Sequence, residues 1–460
     1  MFACPNCGGN LKFNIAAQQL GCEHCEAEFD PYAFDNKDKD AIEQKEFDVT
    51  IFTCPQCGGE ILSTDTSAAE FCTFCGASTI LFSRISKEKR PDYIIPFQKT
   101  KEDCKNAYSA IMKKAIFAPK ELKDARHIDS FRGIYIPYWA FNVTQEGTFS
   151  LRGTNSNRRG DYIYTNHYAL HGEIDAYYNG LSYDASSSFD DNISSKIAPY
   201  DVKQMKEFTP AYLSGFYADT ADVDSRLYEG DAESTAFNNS IRNVYRKFPG
   251  ITISSTPSAS DLHTQIKSVD NAMFPVWFMS YRNGDRVAYA TVNGQTGKVV
   301  TDLPVDKKKY VLGSLLLSIP IFIILNLFFT ITPSTLLKFS TILAAISIIF
   351  LRYELNQIKK RESGETDRGR VAKRKGKDSE KEKKQTNRYK SAGFTTAIIA
   401  IVVAILILFF NPVSDIYYYA GVILTAIALF VTIKELIHYY NIMATRRLPQ
   451  FDRTGGDDNA

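Results

Sequence analysis

Whole classes of chemistry are missing from this chain. Its 460 residues hold only 6 His and 2 Trp. Neither HExxH nor GxSxG occurs, which sets aside metalloprotease and α/β-hydrolase chemistry. NGQTGK at 293–298 looks like a phosphate loop, but its glycines stand too close together for GxxxxGK[ST], and Val299 rather than a hydroxyl residue follows Lys298. It reads as a turn. Charge of one sign is missing as well. The 54 Lys and Arg face 52 Asp and Glu, a net of +2, so the whole-chain balance points to no class of partner. The opening MFACPNCGG has neither a basic start nor an apolar core, and no cleavable signal peptide is expected.

What is present is cysteine in a pattern. CPNCGG begins at Cys4 and CPQCGG at Cys54, while CEHC starts at Cys22 and CTFC at Cys72. Of 9 cysteines, 8 fall in such pairs, and each set reads CxxC, 14 residues, CxxC. The short spacer lets a tight turn aim both sulfurs at one ion, helped by the glycines after Cys7 and Cys57. Cys4, Cys7, Cys22 and Cys25, and likewise Cys54, Cys57, Cys72 and Cys75, are expected to close two tetrahedral shells, with strand-like pieces at 11–13 and 60–62. Structural zinc is the expected ion in both, and a rubredoxin-like iron site is the alternative. His24, inside CEHC, is a spare donor expected to face solvent. A unit this small buries too little apolar surface to fold unaided, so metal binding, on the order of 10 kcal/mol or more, would supply the deficit. The arrangement fits a reducing compartment. Cys104 stands alone and is expected to be an ordinary buried or half-buried thiol.

Apolar runs fill the last third. Those at 311–331, 336–351, 394–410 and 413–436 approach or exceed the roughly 17–25 residues a helix needs to cross hydrocarbon. ITPST and NPVSD join them as tight turns, so the expectation is an all-α membrane domain of four transmembrane helices in two hairpins. Pro320 is a candidate kink, and Lys338 can snorkel outward. Lys307, Lys308 and Lys309, then Arg446 and Arg447, flank the block, and a basic loop carries Lys373, Arg374, Lys375 and Lys377. The opposite turns carry neither Lys nor Arg. The positive-inside rule therefore predicts a multi-pass plasma-membrane protein with both termini cytoplasmic. Asp415, Lys434 and Glu435 lie near span ends, and Asn326 is the one amide deep in a run, which favours anchoring over transport.

Between ribbons and spans, 91–306 reads as a soluble α+β domain with an antiparallel sheet. Thr100 and Asp103 form a helix-start pattern leading into an amphipathic helix through Lys114. GIYIPYWAFNV, GTFSLRG and DYIYTNHYALHGEIDAYY are strand-like, and the polar stretch 197–248 is expected to be helical. Asn-Gly at 283–284 and 293–294 marks two hairpin turns. His167 and His171 share one face of a strand, where packing is expected rather than metal. Asp219, Asp222 and Asp224 miss the EF-hand spacing and are expected to cap helix starts. The resulting division is ribbon 1 at 1–30, a linker at 31–50, ribbon 2 at 51–85, the α+β domain at 91–306, hairpins at 311–351 and 394–437, a basic loop at 352–393 and a tail at 438–460.

GIYIPYWAF, DASSSFDDNISSKIAPYD, YLSGFYAD, PVWFMSYRNG and NGQTGKVVTDLPVD, with the cysteine pairs, resemble a family of uncharacterised bacterial multi-pass membrane proteins with TFIIB-type zinc ribbons. The resemblance runs from the ribbons into the first spans. The insert at 352–390 and the tail ending GGDDNA lie outside it. It implies a link to phage-shock-type envelope stress, with flotillin-like or phage-shock-type scaffold proteins as partners, and it transfers no catalytic residue. The expected function is a non-enzymatic adaptor that holds protein partners at the cytoplasmic face, its basic loop touching anionic membrane lipid, although Glu380 and Glu382 dilute that charge. A membrane-tethered nucleic-acid binder is the alternative, against which the acidic DNKDKDAIEQKEFD between the ribbons counts. A transporter subunit is the third reading. No small-molecule substrate is evident.

Overall fold

The computed structural model describes residues 2–34, 46–63, 72, 74–77, 82–257, 261–328, 330–362, 367–373 and 391–449. Strands β1 (Leu11–Asn14), β2 (Gln19–Cys22) and β3 (Glu28–Phe29) form a small antiparallel sheet in that order. Leu11 and Phe13 are buried while Lys12 and Asn14 face out, the period-two pattern of a strand with one wet side.

The other described strands belong to one large sheet. They are β4 (Glu46–Thr53), β5 (Glu60–Ser63), β6 (Phe82–Lys89), β7 (Tyr93–Ile94), β8 (Arg132–Arg159), β9 (Tyr162–Asp184), β10 (Lys206–Glu207), β11 (Tyr217–Ala218), β12 (Thr252–Ile253), β13 (Leu262–Asn283), β14 (Arg286–Asn293), β15 (Val299–Thr301) and β16 (Arg446–Arg447). Its spine is β8, antiparallel to β13 on one edge and to β9 on the other, with β11 running parallel to its first residues. The two strand-like pieces read separately from sequence, GIYIPYWAFNV and GTFSLRG, are one 28-residue strand. From Val143 to Gly153 its residues alternate between inward and outward, so one face stays dry without interruption. Beyond that point the β8–β9 hairpin projects, with Tyr162 and Ile163 about 70% exposed.

Four helices accompany the sheet: α1 (Lys101–Lys114), α2 (Ala125–Ile128), α3 (Asp191–Ile197) and α4 (Glu229–Lys247). Thr100 and Asp103 complete the expected capping box at the start of α1. The stretch 197–248 is not one helix. Its first part is short 3-10 turns and strand fragments, and only 229–247 is α-helical, burying Ala232, Ala236, Ser240, Ile241 and Val244 along one face. Phe97 anchors the core, stacked on Phe216 at 4.5 Å and edge-on to Tyr135 and Trp277.

The apolar third holds α5 (Lys307–Phe328), α6 (Pro333–Glu362), α7 (Arg368–Lys373), α8 (Ala392–Phe410) and α9 (Asp415–Met443). Four of these, α5, α6, α8 and α9, are long and apolar enough to cross a membrane. The expected second hairpin is there, α8 packed against α9, but the first is not, because α5 does not pack along α6. Helices α6, α8 and α9 pack into a three-helix bundle through small residues such as Ala344, Ala397, Ala400, Ala404, Gly421 and Ala428, which let backbones approach. Thr425 donates to Ser340 at 2.9 Å across two of them. Helix α5 buries no residue at all and runs through Pro320. It is held at its base, where Tyr310 meets Phe117 edge-on and Lys309 donates to the Ala118 carbonyl at 2.7 Å. The Asn326 amide is satisfied by the Phe322 carbonyl of its own helix.

Candidate metal centres

Four tight turns aim the cysteines. In each, the first cysteine's N–H donates five residues on and its carbonyl accepts from four residues on: Cys4 with Gly9 and Gly8, Cys22 with Ala27 and Glu26, Cys54 with Gly59 and Gly58, Cys72 with Ala77 and Gly76. The accepting turn drives the next residue into the left-handed region. Gly8, Gly58 and Gly76 sit there at φ near +70°, and Glu26 takes the same place at φ 60° without glycine's freedom.

The turns bring the eight predicted ligands together as two groups, each with its sulfurs within 4.8 Å of one another. In the first, Cys4 lies 3.5 Å from Cys25 and Cys7 lies 3.4 Å from Cys22. In the second, the Cys54–Cys75 and Cys57–Cys72 separations are 3.8 and 3.7 Å. A tetrahedral ion with metal–sulfur bonds of about 2.3 Å has sulfur–sulfur edges of about 3.8 Å, so the donor sets fit such an ion, the second more closely. Backbone N–H groups of Cys25 and His24 lower the Cys22 thiol, while hydrogen bonds shared among the four sulfurs raise Cys7 and Cys25. His24 is exposed, as expected.

The two centres differ in setting. Cys7 and Cys25 are exposed, whereas all four cysteines of the second group are buried. Ribbon 1 rests on the domain through β1, where Phe13 N–H donates to the Ser214 carbonyl at 3.0 Å, and through the Gln18 amide, which reaches the Phe97 carbonyl at 2.7 Å. Ribbon 2 is not a separate module. Strands β4 and β5 enter the large sheet through β11, and its cysteines share a core with Ile134, Phe274 and Phe278. Tyr289 also donates to the Phe74 carbonyl between Cys72 and Cys75, at 2.7 Å. Part of ribbon 2, 64–71, lies outside the described residues, as does the linker segment 35–45.

Other residues singled out from sequence take quieter places. His167 and His171 share a strand face but are exposed, opposite Thr154 and Ser150. Asp224 caps a turn as expected, while Asp222 instead binds Ser187 and Asp219 binds Ser186. NGQTGK is a turn, with the Asn293 side chain accepting from the N–H groups of Gln295 and Thr296. Cys104 is fully buried, and burial pushes its thiol up. Of the basic loop, Arg374, Lys375, Lys377, Glu380 and Glu382 lie outside the described residues.

One feature was not legible in the sequence: a polar seam where the soluble sheet meets the cytoplasm-predicted ends of α6 and α9. Strand β16, beyond the last span, returns to pair with β14. Arg286, Arg446 and Arg447 meet Glu362 and Asp190 there, and Asp184 and Asp191 lie beside them, both carboxyls pushed up by burial. Only DASSSFDD, with its closely spaced acids, hinted at it.

In sequence the chain is 28% identical over 317 residues to "Uncharacterized protein YdjG" of Bacillus subtilis (strain 168), an alignment covering 67% of this chain and 91% of that protein. It matches no protein-family model and no solved structure. Two Cys4 groups able to hold metal and four apolar helices fit a zinc-ribbon membrane protein.

Proposed function

We propose that this chain is a non-enzymatic, zinc-stapled adaptor that holds protein partners at the cytoplasmic face of the plasma membrane. The tip of the β8–β9 hairpin carries the reading. Tyr162, Tyr164 and Tyr168 stand exposed on one face, with Arg159, Asn157 and Gly153 directly across from them. Tyrosine supplies large contact area at low entropy cost, and Arg, Asn and Gly beside it are the residues of recognition surfaces. The apolar helices anchor the arm, and the basic flanks orient it toward the cytoplasm. Flotillin-like and phage-shock-type scaffolds are the partner class that the family resemblance supports, and envelope stress the setting.

A photo-crosslinking residue at Tyr168, in native membranes, tests this. A reproducible protein adduct, lost when Tyr162→Ser and Tyr164→Ser are combined, is expected. Absence of any adduct, or one indifferent to both tyrosines, would sink the adaptor reading. A second reading rests on Arg152, Arg158 and Arg159, exposed along the same hairpin. If the arm binds nucleic acid, the full chain in detergent will bind single strands with a steep salt dependence.

A further inference from the structure

From the end of α1 the chain reads KKAIFAPKELK at 113–123, four lysines and one acid around a short apolar stretch. Phe117 leaves the soluble domain and lies against the first apolar turns of α5. Tyr310 meets its ring edge-on at 5.3 Å, and a Cβ at Gly313 would stand 2.7 Å from it. The backbone is fixed at the same place, because the Asp306 N–H donates to the Phe117 carbonyl at 2.8 Å and Lys309 donates to that of Ala118. Gly313 lies about 9 Å along the axis from Lys307 and already inside the apolar run that begins at Val311. The loop at 115–119 therefore stands at the level where α5 enters hydrocarbon.

We propose that this loop is a docking surface for anionic phospholipid. Ile116 enters the boundary of the acyl chains, and Lys113, Lys114, Lys120, Lys307 and Lys308 take the headgroup phosphates. The inference rests on α5 spanning the bilayer and not on the adaptor reading.

Exposure and charge carry it. Ile116 is 67% exposed beside a helix whose own apolar residues are all exposed. A single exposed isoleucine means little by itself. Here the five lysines around it are also exposed, and none forms an ion pair with a described residue. Asp306 is occupied with the start of α5, where its carboxylate accepts from the Lys308 N–H at 2.9 Å. An apolar tip ringed by ammonium groups on long stems suits the layer where acyl chains meet phosphates. Continuity with the span decides for lipid over a protein partner: whatever touches Ile116 lies beside the first turns of α5, among the headgroups. Seated there, the loop fixes the end of α1 against the bilayer, a second point of attachment besides the seam at α6 and α9.

The test uses the full chain, zinc-loaded and reconstituted into vesicles of phosphatidylcholine with or without phosphatidylglycerol. Ile116→Trp adds a reporter to the native Trp139 and Trp277, whose emission in the wild-type chain is the baseline. Lipids brominated near the top of the acyl chain are expected to quench the added emission. Phosphatidylglycerol should raise that quenching at least about twofold, an effect lost in high salt. Lys113→Gln, Lys114→Gln and Lys120→Gln combined should abolish the dependence on phosphatidylglycerol while circular dichroism stays unchanged. Should that variant misfold, Lys307→Gln with Lys308→Gln decides. No quenching in either bilayer overturns the proposal. So does quenching that is equal with and without phosphatidylglycerol, or indifferent to the lysine substitutions. Emission that shifts to the blue with rising chain density, without quenching by lipid, would assign the loop to a second copy of the chain and overturns it too.

Discussion

Arg286 on β14 donates to Glu362, the last residue of α6, at 2.9 Å, and so ties the soluble sheet to the membrane bundle. The same carboxylate takes Arg447 at 2.6 Å and is only 5% exposed, while Arg286 also grips the carbonyls of Ile442 and Thr445 at the end of α9. Sheet and helical bundle are thus joined at this point, with two half-buried guanidinium groups sharing one acid.

Removing that acid takes a charged partner from both. Glu362→Gln is expected to destabilise the chain by about 1.5–3 kcal/mol, the range for losing hydrogen bonds to a charged group. Thermal unfolding in detergent reads it. Asp129→Asn, which breaks the exposed Lys105–Asp129 pair, should leave the melting temperature unchanged. Equal, negligible shifts for the two variants would show that the seam does not bear load.

The cysteine centres should separate by accessibility. Elemental analysis is expected to find two zinc ions per chain. A maleimide applied with a chelator should label Cys7 and Cys25 first, because they are the exposed ligands, and Cys104 last. Cys75→Ser should cost far more stability than Cys25→Ser, since ribbon 2 shares the core of the sheet. Uniform labelling of all eight ligands would contradict the structural difference.

Acid should destabilise the fold through His127. Its ring is packed edge-on to Tyr281 at 5.3 Å, its Nε2 has no hydrogen-bond partner, and burial lowers its pKa below the ordinary 6.5. The unfolded chain therefore takes up the proton first. Stability from this group is complete above about 6.5 and is lost as pH falls through the lower folded value. Comparing unfolding midpoints between pH 7 and 5 tests it; His127→Phe should flatten part of that slope, and an identical slope would exclude the residue as a source.

Gly294 makes the turn after β14 possible by having no side chain. A Cβ there would lie 2.6 Å from the Phe97 ring and 2.8 Å from Pro275. Gly294→Ala is expected to destabilise by about 1–3 kcal/mol through overpacking, read by denaturant titration. A neutral effect would mean that the Phe97 cluster yields more easily than its stacking implies.

Much of this protein was legible residue by residue. Cysteine spacing picked out the two groups of four that come together and are able to hold metal, because two-residue spacers work through local turn geometry that the chain carries with it. The apolar runs gave four helices, since length and hydropathy alone decide whether a segment suits hydrocarbon. The box at Thr100 and Asp103 and the Asn-Gly turns were equally local. Length of strand was not. GIYIPYWAFNV and GTFSLRG looked separate because Thr144, Gln145 and Glu146 are polar, yet pairing with β9 and β13 on both edges carries β8 straight through them.

Sequence by itself determined the two cysteine groups, the apolar helices and the strand-rich middle, all consequences of short-range spacing and composition. Tertiary structure alone decided that ribbon 2 is part of the large sheet, that α5 stands apart from a bundle of three, and that β16 returns across the seam. Those outcomes depend on which surfaces meet over hundreds of residues. Asp184 and Asp191, or Arg286 and Glu362, acquire their character from burial and from each other, and neither property is written in a residue's immediate neighbours.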